Sequence, residues 1–303
     1  STPIKSSAAS DVYKRQISVI ARLPAIMVGA YQVMRRYLYN SSMVMHPINL
    51  DESLAESILS TLRDNREYTK EEAKLLDLCL MLHAEHGGGN NSTFTCRCVT
   101  STGTDAYAAY ASAISALKGP RHGGANIKVM EMLNCIENGV KNWENEGEVA
   151  DFLTKILNKE ENDHSGLIYG MGHAVYTLSD PRAVQLKKSA LKLAKGTEVE
   201  AEFRLLDTIE RLTPQLFAKN KGDIKTMCAN VDMYSGLVYK LLGIPVEMYT
   251  ALFACARMPG WCAHRMEEIE NGKRIMRPAY RTLIKNRDYI APVSYTHLTL
   301  PTT

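Results

Sequence analysis

The sequence predicts an all-α fold, on three observations. Apolar residues recur at three- and four-residue spacing through most of the chain, Gly and Pro punctuate those stretches at helix length, and strand signals are scarce. No internal repeat or low-complexity tract interrupts the pattern. The 303 residues, 45% hydrophobic and 23% charged, have the composition of an ordinary globular protein with a large core. At roughly 150 residues per domain, the length suggests about two domains.

Residues 1–16 and 293–303 lack the periodicity of the chain between them. They resemble translated adapter sequence and are expected to be non-native. Gln16 to Tyr39 reads as a helix without an N-cap signal. In Thr69-Lys70-Glu71-Glu72 a capping box starts a helix whose run Leu75 to Leu82 is apolar and expected to be buried. It stops at His83-Ala84-Glu85-His86 against Gly87-Gly88-Gly89. Asn90, Ser92 and Thr93 then read as a polar substrate loop.

Thr104 or Asp105 can cap an alanine-rich helix that runs to Leu117 and ends at Gly119-Pro120. A helix after His122 carries Ile127, Met130 and Leu133 on one face. More charged, amphipathic helices follow over Phe152 to Leu157, Val184 to Ala194 and Glu198 to Leu212. Asn230 to Leu242 and Val246 to Ile269 return to Ala, Met, Leu and Cys, with Pro259 expected to kink the second. The charged helices suggest a smaller domain over 124–244, between large-domain segments 17–123 and 245–292.

A net charge of +3, with both signs well mixed, argues against a nucleic-acid partner. No unbroken run of about 18 apolar residues is present, so no membrane span is expected. Seven cysteines scattered through apolar stretches such as those of Cys79, Cys135 and Cys255 read as buried thiols, and point to a reducing cytoplasm.

Two histidines and an aspartate stand at punctuated places: His122 in Gly119-Pro120-Arg121-His122-Gly123-Gly124-Ala125-Asn126, His173 in Gly170-Met171-Gly172-His173-Ala174-Val175, and Asp232 in Asn230-Val231-Asp232. Such breaks put side chains on turns where a substrate reaches them. Each histidine could instead be a turn residue bonded to backbone, and Asp232 an N-cap. An arginine can offer a planar fork to a carboxylate, although most arginines taken alone read as surface residues. Arg257 carries its own signal, because it interrupts the apolar run Ala251 to Met258, where an unpaired charge is costly. A different class of reading takes His83, His86, Cys96 and Cys98 as zinc ligands, although Cys-x-Cys is tighter than the usual spacing.

In the order HGGAN, GMGHAV, Asp180-Pro181-Arg182, then NVD, and with His83-Ala84-Glu85-His86-Gly87-Gly88-Gly89-Asn90 before them, the chain resembles the citrate synthase family over about residues 17–290. The resemblance implies a large and a small helical domain, a homodimer, and condensation of acetyl-CoA with oxaloacetate to citrate and CoA, the entry step of the tricarboxylic acid cycle. Acetyl-CoA is the co-substrate, and no tightly bound cofactor or metal is implied. Asp232 is the expected base. His122, just before a helix N-terminus that disfavours further positive charge, is the expected neutral donor to the thioester carbonyl. His173 is expected to protonate the ketone.

His86, Arg182 and Arg257 are implied as oxaloacetate ligands, with Arg277 reaching the neighbouring subunit's site. His83 is expected to pack against its helix. Gly170, Gly172 and Asn230 are implied CoA contacts. Set against the family, the chain is expected to lack the N-terminal portion, and Thr177 stands where many members carry a phosphate-binding arginine. A 2-methylcitrate synthase using propionyl-CoA is the neighbouring alternative, since one methyl changes discrimination by only about 1–3 kcal/mol. A non-catalytic helical oligomer is the remaining one.

Overall fold

The computed structural model describes residues 6–172, 176, 178–221, 227–272, 274–279, 281 and 283. The fold is all-α, and the one β-bridge among the described residues is an isolated pair, Met171 with Ala229. The helices are α1 (Ser6–Leu38), α2 (Leu54–Leu62), α3 (Lys70–Ala84), α4 (Asn91–Thr100), α5 (Ala106–Leu117), α6 (Ala125–Gly139), α7 (Glu146–Leu157), α8 (Pro181–Ala194), α9 (Glu200–Lys221), α10 (Asp232–Leu241) and α11 (Tyr249–Asn271). A 3₁₀ turn, Val246–Met248, precedes α11.

Local chemistry sets most helix starts. Thr69 Oγ1 accepts the Glu72 amide while Glu72 reaches back to Thr69, and Ser53 with Glu56 repeats this capping box on α2. Asp105, not Thr104, caps α5. Asn145 caps α7, and Asp180 followed by Pro181 at the first helical position starts α8. Two expectations change. The polar loop expected at Asn90, Ser92 and Thr93 is the start of α4, because Ser92 and Thr93 are fully buried as small residues in its packed face. No break falls near residue 16: α1 runs through it and buries Gln16.

By length and composition alone, the stretch Val12–Leu38 of α1 suffices to cross a membrane, which a search for an unbroken apolar run passes over. Here it packs Met27 and Val28 into the core and lies against α2 and α11. Helix α11 is the spine of one half of the packing, touching α1, α3, α4 and α5. Helix α10 does the same for α6, α8 and α9. The apolar faces of both join one continuous core, from Met27 on α1 to Ala256 on α11. A second cluster of Cys96, Tyr110, Leu117, Met258 and Trp261 fills the space between α4, α5 and α11. These two spines present Arg257 from α11 and Asp232 from α10 on rigid supports.

Candidate functional site

Asp232 is the first residue of α10, and its carboxylate does not cap that helix. The capping work falls to Asn230, whose Oδ1 accepts the Asp232 amide at 3.0 Å. The reading of Asp232 as an N-cap is therefore wrong, and its carboxylate has no hydrogen bond of that kind to hold it. The residue is part-exposed, yet enough protein surrounds the carboxyl to push it up to about 6. Burial is the main cause and Asp180 adds to it, while Arg182 and Arg257 act in the opposite sense. A carboxyl poised there is a base at neutral pH.

The Asn230-Val231-Asp232 and Gly170-Met171-Gly172 segments are tied together. The Asn230 amide donates to the Gly170 carbonyl at 2.9 Å, Asn230 Nδ2 donates to the Gly172 carbonyl at 3.0 Å, and the Gly172 amide donates to the Cys228 carbonyl at 2.8 Å. His173 lies outside the described residues, one position beyond this anchored segment, as does Thr177. Gly170 holds φ +81°, and a Cβ there would sit 2.8 Å from the Met233 Cα. Gly170→Ala is accordingly expected to lower unfolding stability by at least about 2 kcal/mol in urea titration.

His122 sits on a tight turn between α5 and α6, its amide donating to the Gly119 carbonyl. Its Nε2 lies 3.0 Å from Ser92 Oγ, and burial together with the Arg257 charge lowers its pKa, so the ring is neutral at pH 7. The Ser92 hydroxyl is coupled to which nitrogen is protonated. The Trp261 indole N–H can only donate, and does so to Ser92 Oγ at 3.3 Å. The single Ser92 proton then goes either to Asn90 Oδ1, 3.1 Å away, or to His122 Nε2. In the second case His122 presents Nδ1–H as a donor.

Phe253 on α11 gathers the remaining groups. Its ring lies edge-on to His83 at 5.0 Å and to His122 at 6.0 Å, and the Arg257 guanidinium stands over it at 4.9 Å. Arg257 is 1% exposed. Its Nε donates to the His83 carbonyl, but Nη1 is buried with no partner among the described residues. Burial pulls its pKa down to about 10, leaving it charged at pH 7. A buried cation with an unfilled donor is what an anionic ligand would complete.

Arg182 is held in a fork by the fully buried Asp180, Nε to Oδ1 at 3.1 Å and Nη2 to Oδ2 at 2.8 Å. His86 is half-buried and stacks on Tyr176 with centroids 6.5 Å apart. His83 packs as expected, with Nδ1 bonded to the Cys79 carbonyl at 2.8 Å and its pKa pushed down to about 4 by burial. The residues of the zinc reading do not converge: among the described residues no group of three or more His, Cys, Asp or Glu is placed to hold a metal, and Cys96 is buried, its thiol against the Trp261 carbonyl. Arg277 is exposed beyond the end of α11, and no described contact joins it to this cluster.

Phe253 and Trp261 were not legible as site residues, whereas Ser92 was expected in a substrate loop. Asp180 had a readable signal in Asp-Pro-Arg, an N-cap followed by proline at the first helical position. Phe253 and Trp261 are ordinary core residues in sequence, and the packing of α11 brings them to His122, Ser92 and Arg257.

Fold and site together define a helical protein in which a carboxyl raised to about 6 and a neutral imidazole both lie in the field of one buried guanidinium. The citrate synthase C-terminal domain matches residues 2–279, and the chain belongs to the citrate synthase family. It is 37% identical over 264 residues to the citrate synthase of Synechocystis sp., covering 86% of this chain and 59% of that protein. It is 38% identical over 224 residues to that of Deinococcus radiodurans, covering 74% of this chain and 55% of the relative. The chain thus spans little more than half the length of these relatives. Among solved structures it is similar to the citrate synthase of the archaeon Thermoplasma acidophilum, in ternary complex with carboxymethyl coenzyme A and oxaloacetate, with TM-score 0.74, 30% identity, and coverage of 94% of this chain and 70% of that one.

Proposed function

We propose that this chain carries the condensing site of a citrate synthase, joining acetyl-CoA to oxaloacetate and hydrolysing the resulting thioester to citrate and CoA. The observation that carries the reading is Asp232: a carboxyl released from capping, raised to about 6, in the field of two guanidinium groups. Asp232 takes a proton from the acetyl methyl group. Neutral His122 donates a hydrogen bond to the thioester oxygen as the enol forms. His173 protonates the ketone oxygen under attack, a role that rests on the family motif. Water then cleaves the citryl thioester.

Arg257 and Arg182 bind the two carboxylates of oxaloacetate, with His86 adding a hydrogen bond. The buried, unfilled Nη1 of Arg257 supports this most strongly. Gly170, Gly172 and Asn230 approach the coenzyme. Arg277 completes the site of a neighbouring subunit in a homodimer, in keeping with its exposure. The two-domain division at 124 and 244 lets the halves close over the substrates. The seven free thiols, five of them buried, suit a reducing cytoplasm.

The test is thiol release from acetyl-CoA with and without oxaloacetate, with propionyl-CoA alongside. Oxaloacetate-dependent release is expected. Release without oxaloacetate, or none at all, would refute the reading, and the ratio of the two thioesters assigns citrate or 2-methylcitrate. The pH profile follows from Asp232: kcat/KM is expected to fall about tenfold per unit below pH 6 and to level off above it. Ser92→Ala, which frees His122 to adopt either tautomer, is expected to lower kcat roughly tenfold with little change in KM for oxaloacetate.

A further inference from the structure

One face of α11 seats the whole segment from His83 to Gly88. Arg257, Gly260, Trp261 and His264 recur at helical spacing on it. Arg257 Nε donates to the His83 carbonyl, and Trp261 Nε1 donates to Ser92 just beyond the segment. At Gly260 a Cβ would fall 2.1 Å from the Ala84 carbonyl, so only glycine lets the strand of loop lie this close. His264 Nε2 meets Glu85 Oε2 at 3.0 Å, and Nδ1 faces Glu267 at 3.3 Å. Glu85 in turn accepts the Gly87 amide through its other oxygen. Glu85 is also the foremost negative charge acting on Arg257.

We propose that His264 is a positioning residue for the ketoacid site: through Glu85 it latches the 83–88 segment onto α11, so that His86 and Arg257 meet a dicarboxylate in one fixed arrangement. The inference rests on the oxaloacetate-binding reading above, and assigns work to two residues outside it. The latch touches no reacting atom. Its loss disorders the binding groups rather than the base.

The full chain and its His264→Ala, His264→Gln and Glu85→Gln variants are compared in steady-state kinetics and in deuterium uptake of the peptide spanning 84–91. His264→Ala is expected to raise KM for oxaloacetate about tenfold while kcat changes less than about threefold. His264→Gln, whose amide can still donate to Glu85, is expected to stay within about threefold of wild type. Glu85→Gln behaves like His264→Ala, and the double variant is no worse than either single one. Uptake at 84–91 quickens in His264→Ala but not in His264→Gln. Unchanged KM and uptake in His264→Ala, a glutamine variant as poor as alanine, or a loss confined to kcat would each overturn the proposal. A wild type that fails to turn over while the exchange pattern holds would refute the function and support the latch.

Discussion

Asp232→Asn is expected to lower turnover roughly a thousandfold while oxaloacetate affinity stays within a few-fold. The amide matches the carboxylate in shape but cannot accept the methyl proton, and Asn230, not Asp232, makes the helix-starting bond, so α10 is left intact. Stability should move the other way. Burial raises the Asp232 carboxyl from its ordinary range to about 6, so the fold favours the protonated form. The cost of ionising it is absent below the unfolded-state pKa of about 4, grows from there to about pH 6, and is fully present above. The amide carries no such cost. At pH 8 the variant is therefore expected to be more stable by up to about 3 kcal/mol, an advantage that fades as pH falls from 6 toward 4. Equal losses of turnover and of oxaloacetate binding would count against the base role.

Arg257→Met is the second large effect. The buried guanidinium has an Nη1 without a partner among the described residues, and removing it should weaken oxaloacetate binding by roughly 3–4 kcal/mol, several hundredfold in Kd by calorimetry. Without ligand the fold should change little. The bond from Nε to the His83 carbonyl is lost, but so is an incompletely paired buried cation, and the two offset to within about 1 kcal/mol. Oxaloacetate should raise the melting temperature of the wild type and not of the variant. A variant that still gains stability from oxaloacetate would place the dicarboxylate elsewhere.

Much of this was legible because helices announce themselves locally. The Thr69–Glu72 capping box and the apolar faces of α5 and α6 read directly from side-chain spacing, and Asp105 is one of the two caps expected. Helix α2 carries an equally plain signal in Ser53 and Glu56. Helix α4 was harder: Asn91 to Thr100 is polar and short, and it becomes helical because α5 and α11 cover it. The same tertiary packing hid Trp261 and the burial of Ser92 beside His122. His122, His173 and Asp232 stood out at chain breaks and Arg257 in its apolar setting, whereas Arg182 and Arg277 carried no mark beyond the family motifs. His264 lacked any such mark, since a histidine near the end of an amphipathic helix is ordinary until Glu85 is seen opposite.

The most direct measurement follows the methyl protons themselves. Acetyl-CoA with a fully deuterated methyl group is incubated with the chain and oxaloacetate, and the products are read by mass spectrometry. The account predicts citrate that keeps two of the three deuterons, formed only with oxaloacetate present and abolished by Asp232→Asn. Free acetate retaining all three deuterons, released whether or not oxaloacetate is added, would contradict it by showing thioester hydrolysis without carbon–carbon bond formation.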